Sequence, residues 1–190
     1  LEVLDRIGDE ALRAGDIIHR LRGMIRRRES VPEECDLKDL LAEITPLVSV
    51  DARLNDVDLR LALPEGPLPI LADGVQIQQV VLNLIRNGID AMAETPLENR
   101  VVDVQVTEVE GKSVKVSVSD TGCGIPETSE KTLFEPFFTT KKAGLGLGLS
   151  ISRSIIVAHG GDLSFSRNPQ GGSTFFFTLP NASEGAHDRE

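Results

Sequence analysis

Cysteine is scarce: Cys35 and Cys123 are the two in 190 residues. That is too few for a disulfide framework, and neither stands at zinc-ligand spacing with the three histidines, so a reducing, cytoplasmic setting is expected. Basic side chains are in deficit. Thirty acidic against twenty basic residues give a formal charge of −10, which repels a phosphate backbone and offers little attraction to anionic lipid, so no nucleic-acid partner is expected. No apolar run reaches about eighteen residues, and the N-terminal stretch alternates Leu and Ile with Arg, Asp and Glu where a signal peptide would be uninterrupted. Direct membrane contact by this chain is therefore not expected. Tryptophan and tyrosine are absent, and all seven phenylalanines lie at or beyond Phe134, which assigns the aromatic packing to the lid and the final strands.

What is present suffices for one substantial core, with 40% of the residues apolar and 26% charged. Leu4, Ile7, Ala11, Ala14, Ile18, Leu21 and Ile25 recur at alternating steps of three and four, a heptad seam that Ile17 and Met24 widen. This predicts one long helix that seeks partners in a bundle. Arg20, Arg22 and Arg26 to Arg28 complement its C-terminal dipole as a solvated face. Leu1 already stands in the helical pattern, so a longer parent protein is expected, with an anchor elsewhere left open. Ser30, Val31 and Pro32 break the helix, and Asp36 can cap a second one whose inward set is Leu37, Leu40, Leu41, Ile44 and Leu47.

Alternation predicts strands over 57–63, 101–106 and 114–118, and a short extended piece before Asp73. A helix starting at Asp73 turns Ile77, Val80, Val81, Leu84 and Ile85 inward and runs to about Met92, before Pro96 closes the segment. From Asp120 to Gly148 the sequence is rich in Gly, Thr and Lys and has little periodicity, which reads as a functional lid or as disorder. A helix from Leu149 to His159 ends on Gly160 and Gly161, and strands near 163–166 and 173–179 complete the fold. His159 reads as a partner of the helix dipole at its C-terminus. The expected organisation is a bundle helix over 1–30, a globular domain over 31–180 and a loose polar tail over 181–190.

Four clusters carry polar chemistry between these elements. Asn83 and Asn87, four apart on one helix face, can offer two neutral amide oxygens to a hard divalent cation, although an Asn pair alone reads as readily as a surface pair. Asp90 follows one turn on and can orient a water or Arg86, or be a plain surface carboxylate. Asp120 at a strand end can accept a hydrogen bond from an exocyclic amine, with Gly122 and Gly124 leaving room for a flat ring; a hairpin turn is the plain alternative. Lys141 or Lys142 can neutralise phosphate charge or stand as a solvated pair, and Lys141 is preferred. Gly144, Gly146, Leu147 and Gly148 lead into a helix whose free amides and positive dipole end suit phosphate. That run is neither a Walker loop, which needs Gly-Lys-Ser/Thr, nor the dinucleotide fingerprint, which needs Gly at position 149.

In order and spacing, Asn83-Leu-Ile-Arg-Asn87-Gly-Ile-Asp90-Ala, Asp120-Thr-Gly122-Cys-Gly124-Ile-Pro126, Leu133-Phe-Glu-Pro-Phe-Phe-Thr-Thr-Lys141 and Gly144-Leu-Gly146-Leu-Gly148-Leu resemble the N, G1, F and G2 boxes of the ATP-binding domain of sensor histidine kinases. This fold is shared with gyrase, Hsp90 and MutL. The resemblance covers roughly Asp36 to Pro180 and is strongest to kinases of the nitrogen-regulation and oxygen-sensing group. It implies an α+β, two-layer α/β sandwich, a mixed sheet with helices on one face, preceded by a long heptad helix. It implies ATP and Mg2+ as ligands, Asn87 and Asn83 at the metal, Asp120 on the adenine N6 amine and Thr174 supporting the same edge. Phe134, Phe137 and Phe138 are expected to anchor the lid.

The resemblance further implies phosphoryl transfer to a His on a bundle helix, relay to a response-regulator Asp, and a homodimer formed through the N-terminal helix. His19 is followed by Arg20-Leu21-Arg22-Gly23, without the acid and proline of the family's acceptor motif, so the acceptor is expected outside this chain and residues 1–29 resemble the second bundle helix. The chain alone is then expected to bind ATP without phosphorylating itself. In the ATP-hydrolysing branch a Glu four residues before the metal-binding Asn is the general base; here that position is Asn83, and an amide cannot accept the proton. A hydrolysing machine of the same fold and a non-catalytic ATP-gated dimerisation module are the alternatives.

Overall fold

The computed structural model describes residues 32–109, 113–141 and 144–182. The heptad helix with His19, Lys142, and the tail with His187 lie outside the described residues. The described residues fall within one compact unit, Pro32–Glu190, and none of their helices is long and apolar enough to cross a membrane.

Among the described residues, seven strands and three α-helices follow in chain order: β1 (Glu33–Asp36), α1 (Leu37–Leu54), β2 (Asp58–Ala62), β3 (Pro69–Ala72), α2 (Gly74–Ala91), β4 (Val101–Val109), β5 (Ser113–Asp120), α3 (Gly148–Ala158), β6 (Asp162–Arg167) and β7 (Ser173–Pro180). Five strands form one sheet in the order β2-β4-β5-β7-β6, and β1 pairs with β3 in a two-stranded ribbon. β2 runs parallel to β4 and the other pairs of the main sheet are antiparallel. This is the expected mixed sheet, with the helices on one face.

Local sequence explains most of these elements. α2 begins because the Asp73 carboxylate accepts from the Gln76 N–H at 3.2 Å, and from Gln76 Nε2 at 2.9 Å, a side-chain N-cap. All five of its expected inward residues are buried. In β5 the period of two turns Val114, Val116, Val118 and Asp120 into the core, and in β7 it turns Ser173, Phe175, Phe177 and Leu179 there. Burying each of the valines, phenylalanines and Leu179 among them contributes about 1.5–3 kcal/mol.

Two expectations are corrected and one strand is added. In α1 the inward residue of the last turns is Val48, whereas Leu47 is 60% exposed; the helix continues through Pro46 to Leu54, so its stripe follows Leu37, Leu41, Ile44, Val48 and Ala52. β1 has no apolar alternation and exists because β3 pairs with it. His159 is not a charged dipole partner. Its Nδ1 lies 2.8 Å from the Ile155 carbonyl and its Nε2 accepts from the Asp73 N–H at 3.0 Å, which requires the neutral ring with the proton on Nδ1. The ring joins the end of α3 to the start of α2.

Candidate functional site

The site is built where the C-terminal end of β5 meets α2. Gly88 makes this crossing possible: a Cβ there would stand 3.3 Å from Asp120 Cβ and 3.4 Å from Val102 Cγ2, so helix and strand end touch backbone to side chain. Gly88 follows Asn87 directly. The two polar clusters 33 positions apart in sequence thereby become neighbours.

Asp120 is 3% exposed and its carboxylate is held from three sides. Oδ1 accepts from the Gly122 N–H at 2.8 Å and the Ser173 N–H at 3.4 Å, and Oδ2 accepts from Ser173 Oγ at 2.9 Å. An ionised carboxylate has about four lone-pair sites, so one on Oδ2 is left for a further donor. Burial raises the Asp120 pKa above its ordinary value, opposed in turn by the bonds from Gly122 and Ser173.

Small residues shape the space beside it. A Cβ on Gly122 would meet the Ala91 carbonyl oxygen at 2.6 Å, and the Cys123 N–H donates to that same oxygen at 3.1 Å. Gly124 has φ +71°, the left-handed region that disfavours other residues. Cys123 itself is exposed.

Ser173, not Thr174, is the β7 residue beside Asp120. Because side chains alternate across a strand, a shift of one residue moves a group to the other face of the sheet. Thr174 pairs with Ser119 across the strands, on the face away from the helices, and bonds Asn168 and Ser119 there. The run Phe175-Phe176-Phe177 hides this parity in the sequence; following Leu179, Phe177 and Phe175 backwards would have found Ser173.

The two asparagines of α2 serve different elements. Asn83 Nδ2 donates to Ser152 Oγ on α3 at 3.1 Å, and a Cβ on Gly148 would stand 2.5 Å from Asn83 Oδ1. The carboxamide is therefore packed against the first turns of α3, away from Asn87's contacts with the lid. Asn87 faces the lid instead, where the Lys141 ammonium donates to Asn87 Oδ1 at 3.0 Å and to Asp90 Oδ2 at 2.7 Å. Arg86 is not Asp90's partner, since it pairs with Asp51 on α1 at 2.9 Å.

The lid is ordered by a few contacts. Phe134 meets Phe165 of β6 at a ring separation of 6.4 Å and lies 5.1 Å under the Arg153 guanidinium, as an anchor should. Phe137 is no anchor: it is 74% exposed with φ +69°. Its N–H donates to the carbonyl of Gly146 at 3.0 Å, and Gly146, at φ +66°, lies so close to the Phe138 carbonyl that no side chain fits. Gly144 stands against Thr139, where a Cβ would lie 3.1 Å from its hydroxyl. Leu147 is buried and precedes α3 without a side-chain cap, leaving the first amides of α3 to an outside acceptor.

A flat polar ring can thus be read by Asp120 between glycine turns, and an anionic tail can extend toward α3 and Lys141. Among the described residues no three His, Cys, Asp or Glu gather to hold a metal alone. The neutral oxygen of Asn87 suits a hard cation that takes its remaining ligands from phosphate and water.

This fold and site define an ATP-binding domain of the kind found in sensor histidine kinases. Residues 72–183, more than half of the chain, match the model of the histidine kinase-, DNA gyrase B- and HSP90-like ATPases, and the chain belongs to that family. Sensor protein FixL of Bradyrhizobium diazoefficiens is 48% identical over 181 residues, 95% of this chain and 35% of that protein. Histidine kinase ThkA in complex with response regulator protein TrrA is similar at TM-score 0.74 and 31% identity, over 94% of this chain and 50% of that chain. Full-length ShkA in complex with AMPPNP is similar at TM-score 0.74 and 27% identity, over 93% and 37% respectively. The chain spans about a third of the length of its curated relatives.

Proposed function

We propose that this chain is the ATP-binding kinase part of a sensor histidine kinase, positioning the γ-phosphoryl of ATP for a His on a dimerisation helix, with onward passage to an Asp of a response-regulator receiver domain. The observation that carries this is the Asp120 carboxylate, buried and held so that one acceptor site stays available between Gly122 and Gly124. Asp120 takes the adenine amine, the glycine turns admit the ring, and the amides leading into α3 take phosphate oxygens. Lys141 exchanges its bonds to Asn87 and Asp90 for phosphate oxygens, which draws the lid over the tail.

Asn87 is the proposed Mg2+ ligand, and the metal, when bound, would offset the charge of the triphosphate. Asn83 contributes by holding α3 against α2. Orientation and charge stabilisation then supply most of the catalysis, as phosphoryl transfer requires. Residues 1–30 are assigned to the second helix of a dimerisation bundle, so the whole protein is a homodimer. The acidic, cysteine-poor composition fits a cytoplasmic location. TrrA bound to ThkA and AMPPNP bound to ShkA support the two partner classes by analogy.

The test has two stages. Calorimetry of the chain with ATP and magnesium should give a heat of association; a folded sample with none refutes the site. Joined to a phosphoacceptor helix and given γ-labelled ATP, the chain should transfer label to the acceptor His. Tight ATP binding without labelled His would favour the non-catalytic module.

A further inference from the structure

Behind Asp120, on the face of the main sheet turned away from the helices, three side chains form a closed hydrogen-bonded ring. Asn168 Nδ2 lies 3.0 Å from Ser119 Oγ, Thr174 Oγ1 lies 2.9 Å from Ser119 Oγ, and Thr174 Oγ1 lies 2.7 Å from Asn168 Oδ1. The proton positions follow from chemistry. An amide oxygen can only accept, so the Thr174 hydroxyl donates to Asn168. That hydroxyl has a single proton, so Ser119 donates to Thr174, and Ser119 in turn accepts from the Asn168 amide. Every bond runs in one rotational sense, an arrangement in which each bond polarises the next.

The second proton of Asn168 Nδ2 donates to the backbone carbonyl of Asp120 at 2.9 Å. β7 turns away at Gly172, whose φ is +85° and whose backbone lies against that carbonyl too closely for any side chain. The Asn168 amide gives that carbonyl a side-chain donor at the point where the β5–β7 register ends, Ser119 opposite Thr174. The β6–β7 turn closes on the same residue, with the Asn168 N–H donating to Gly172 at 3.2 Å and the Gly171 N–H donating to Asn168 at 3.1 Å. Asn168 therefore fixes the main chain of Asp120 and also, through Thr174, the strand carrying Ser173, the side-chain partner of the same carboxylate.

We propose that Asn168, closing the ring with Ser119 and Thr174, is the positioning residue that sets the Asp120 carboxylate for the base, and so governs discrimination between adenine and purines lacking the 6-amino group. This inference rests on the reading of Asp120 as the adenine acceptor. Asn168 touches no ligand and acts through Asp120. Losing it removes the side-chain donor from the Asp120 carbonyl and lets the strand end relax, which the amine contact feels more than any contact to ribose or phosphate.

The experiment measures affinities of the full chain for ATP and for purine riboside triphosphate, which has hydrogen in place of the amine. In Asn168→Ala the Kd for ATP should rise about tenfold while that for the analogue changes by less than about twofold. In an Asp120→Asn background, Asn168→Ala should leave the ratio of the two affinities unaltered. A merely structural role would weaken both nucleotides equally; that result, or an unchanged ratio in Asn168→Ala, overturns the proposal. Should Asp120→Asn itself leave the ratio untouched, the adenine reading falls and this proposal with it, which separates the two failures. Thr174→Val, which keeps the shape of the side chain, carries the test if Asn168→Ala does not fold. It should lower the ratio about threefold, and only while Asp120 is present. A further loss in the Asp120→Asn background would place Thr174 on the base itself and overturn the proposal.

Discussion

Replacing Asp120 by Asn should move stability and ligand affinity in opposite directions. The carboxylate is buried, and burial raises its pKa despite the bonds from Gly122 and Ser173. With the folded-state pKa above the unfolded one, the folded chain holds the extra proton in the window just above the ordinary carboxylate value. Stability therefore falls as pH rises through that window. Asn is nearly isosteric. Its oxygen can keep the Gly122 and Ser173 N–H donors, and its amide nitrogen can donate to Ser173 Oγ in place of accepting from it. Thermal melting at neutral pH should rise in the variant, and the decline from acid to neutral pH should flatten. The same substitution turns the remaining acceptor site into an N–H, opposing the donor of the adenine amine. Losing a charge-assisted hydrogen bond costs about 1.5–3 kcal/mol, which is about 10- to 150-fold in ATP affinity. Melting curves across the acid-to-neutral range, paired with ATP titrations, read both effects. A variant less stable at neutral pH with an unaltered pH slope, or one binding ATP as the parent does, would refute the reasoning.

Three further substitutions probe the other parts. Asn87→Ala should abolish the magnesium-dependent share of ATP affinity and leave binding in the presence of a chelator unchanged, read by titrating nucleotide at fixed and at zero metal. Gly146→Ala forces an L-residue into the left-handed region at about 1–2 kcal/mol and drives a Cβ into the backbone of Phe137 and Phe138; ATP affinity should fall about tenfold, with melting of the nucleotide-free chain nearly unchanged because this part of the lid, with Phe137 exposed, is outside the core that Phe134 joins. His159→Leu leaves the Asp73 N–H without its acceptor and should destabilise the fold by about 1–3 kcal/mol, seen as a lower melting temperature with ATP affinity little altered.

Periodicity along the chain made the core legible, and pairing between elements was not. Ile77, Val80, Val81, Leu84 and Ile85 lie where a 3.6-residue period puts them, and Asp120 shares the parity of Val114, Val116 and Val118, so its burial could be read directly. Thr174 was misplaced because three consecutive phenylalanines erase alternation at the point where the strand must be phased. The pairing of Lys141 with Asp90 spans 51 positions, and that of Asn83 with Ser152 spans 69; no local pattern encodes either. Gly88 lies between Asn87 and Asp90 on α2. Its signal was present, since a glycine inside an otherwise strong helix is unfavourable unless something must approach closely there.

The packing of Asn83 also bears on the proposed transfer to an imidazole in preference to hydrolysis. A base for water at that position would need a carboxylate free to take a proton, yet the side chain there lies against the Gly148 backbone and bonds Ser152. The next carboxylate along the same helix face, Asp90, is engaged by Lys141, and Asp120 is enclosed by Gly122 and Ser173. At the position of a hydrolytic base there is thus an amide committed to holding α3 in place. An arrangement of that kind orients a phosphoryl group and leaves the nucleophile to be brought by another side chain, which is the division of labour that a visiting imidazole requires.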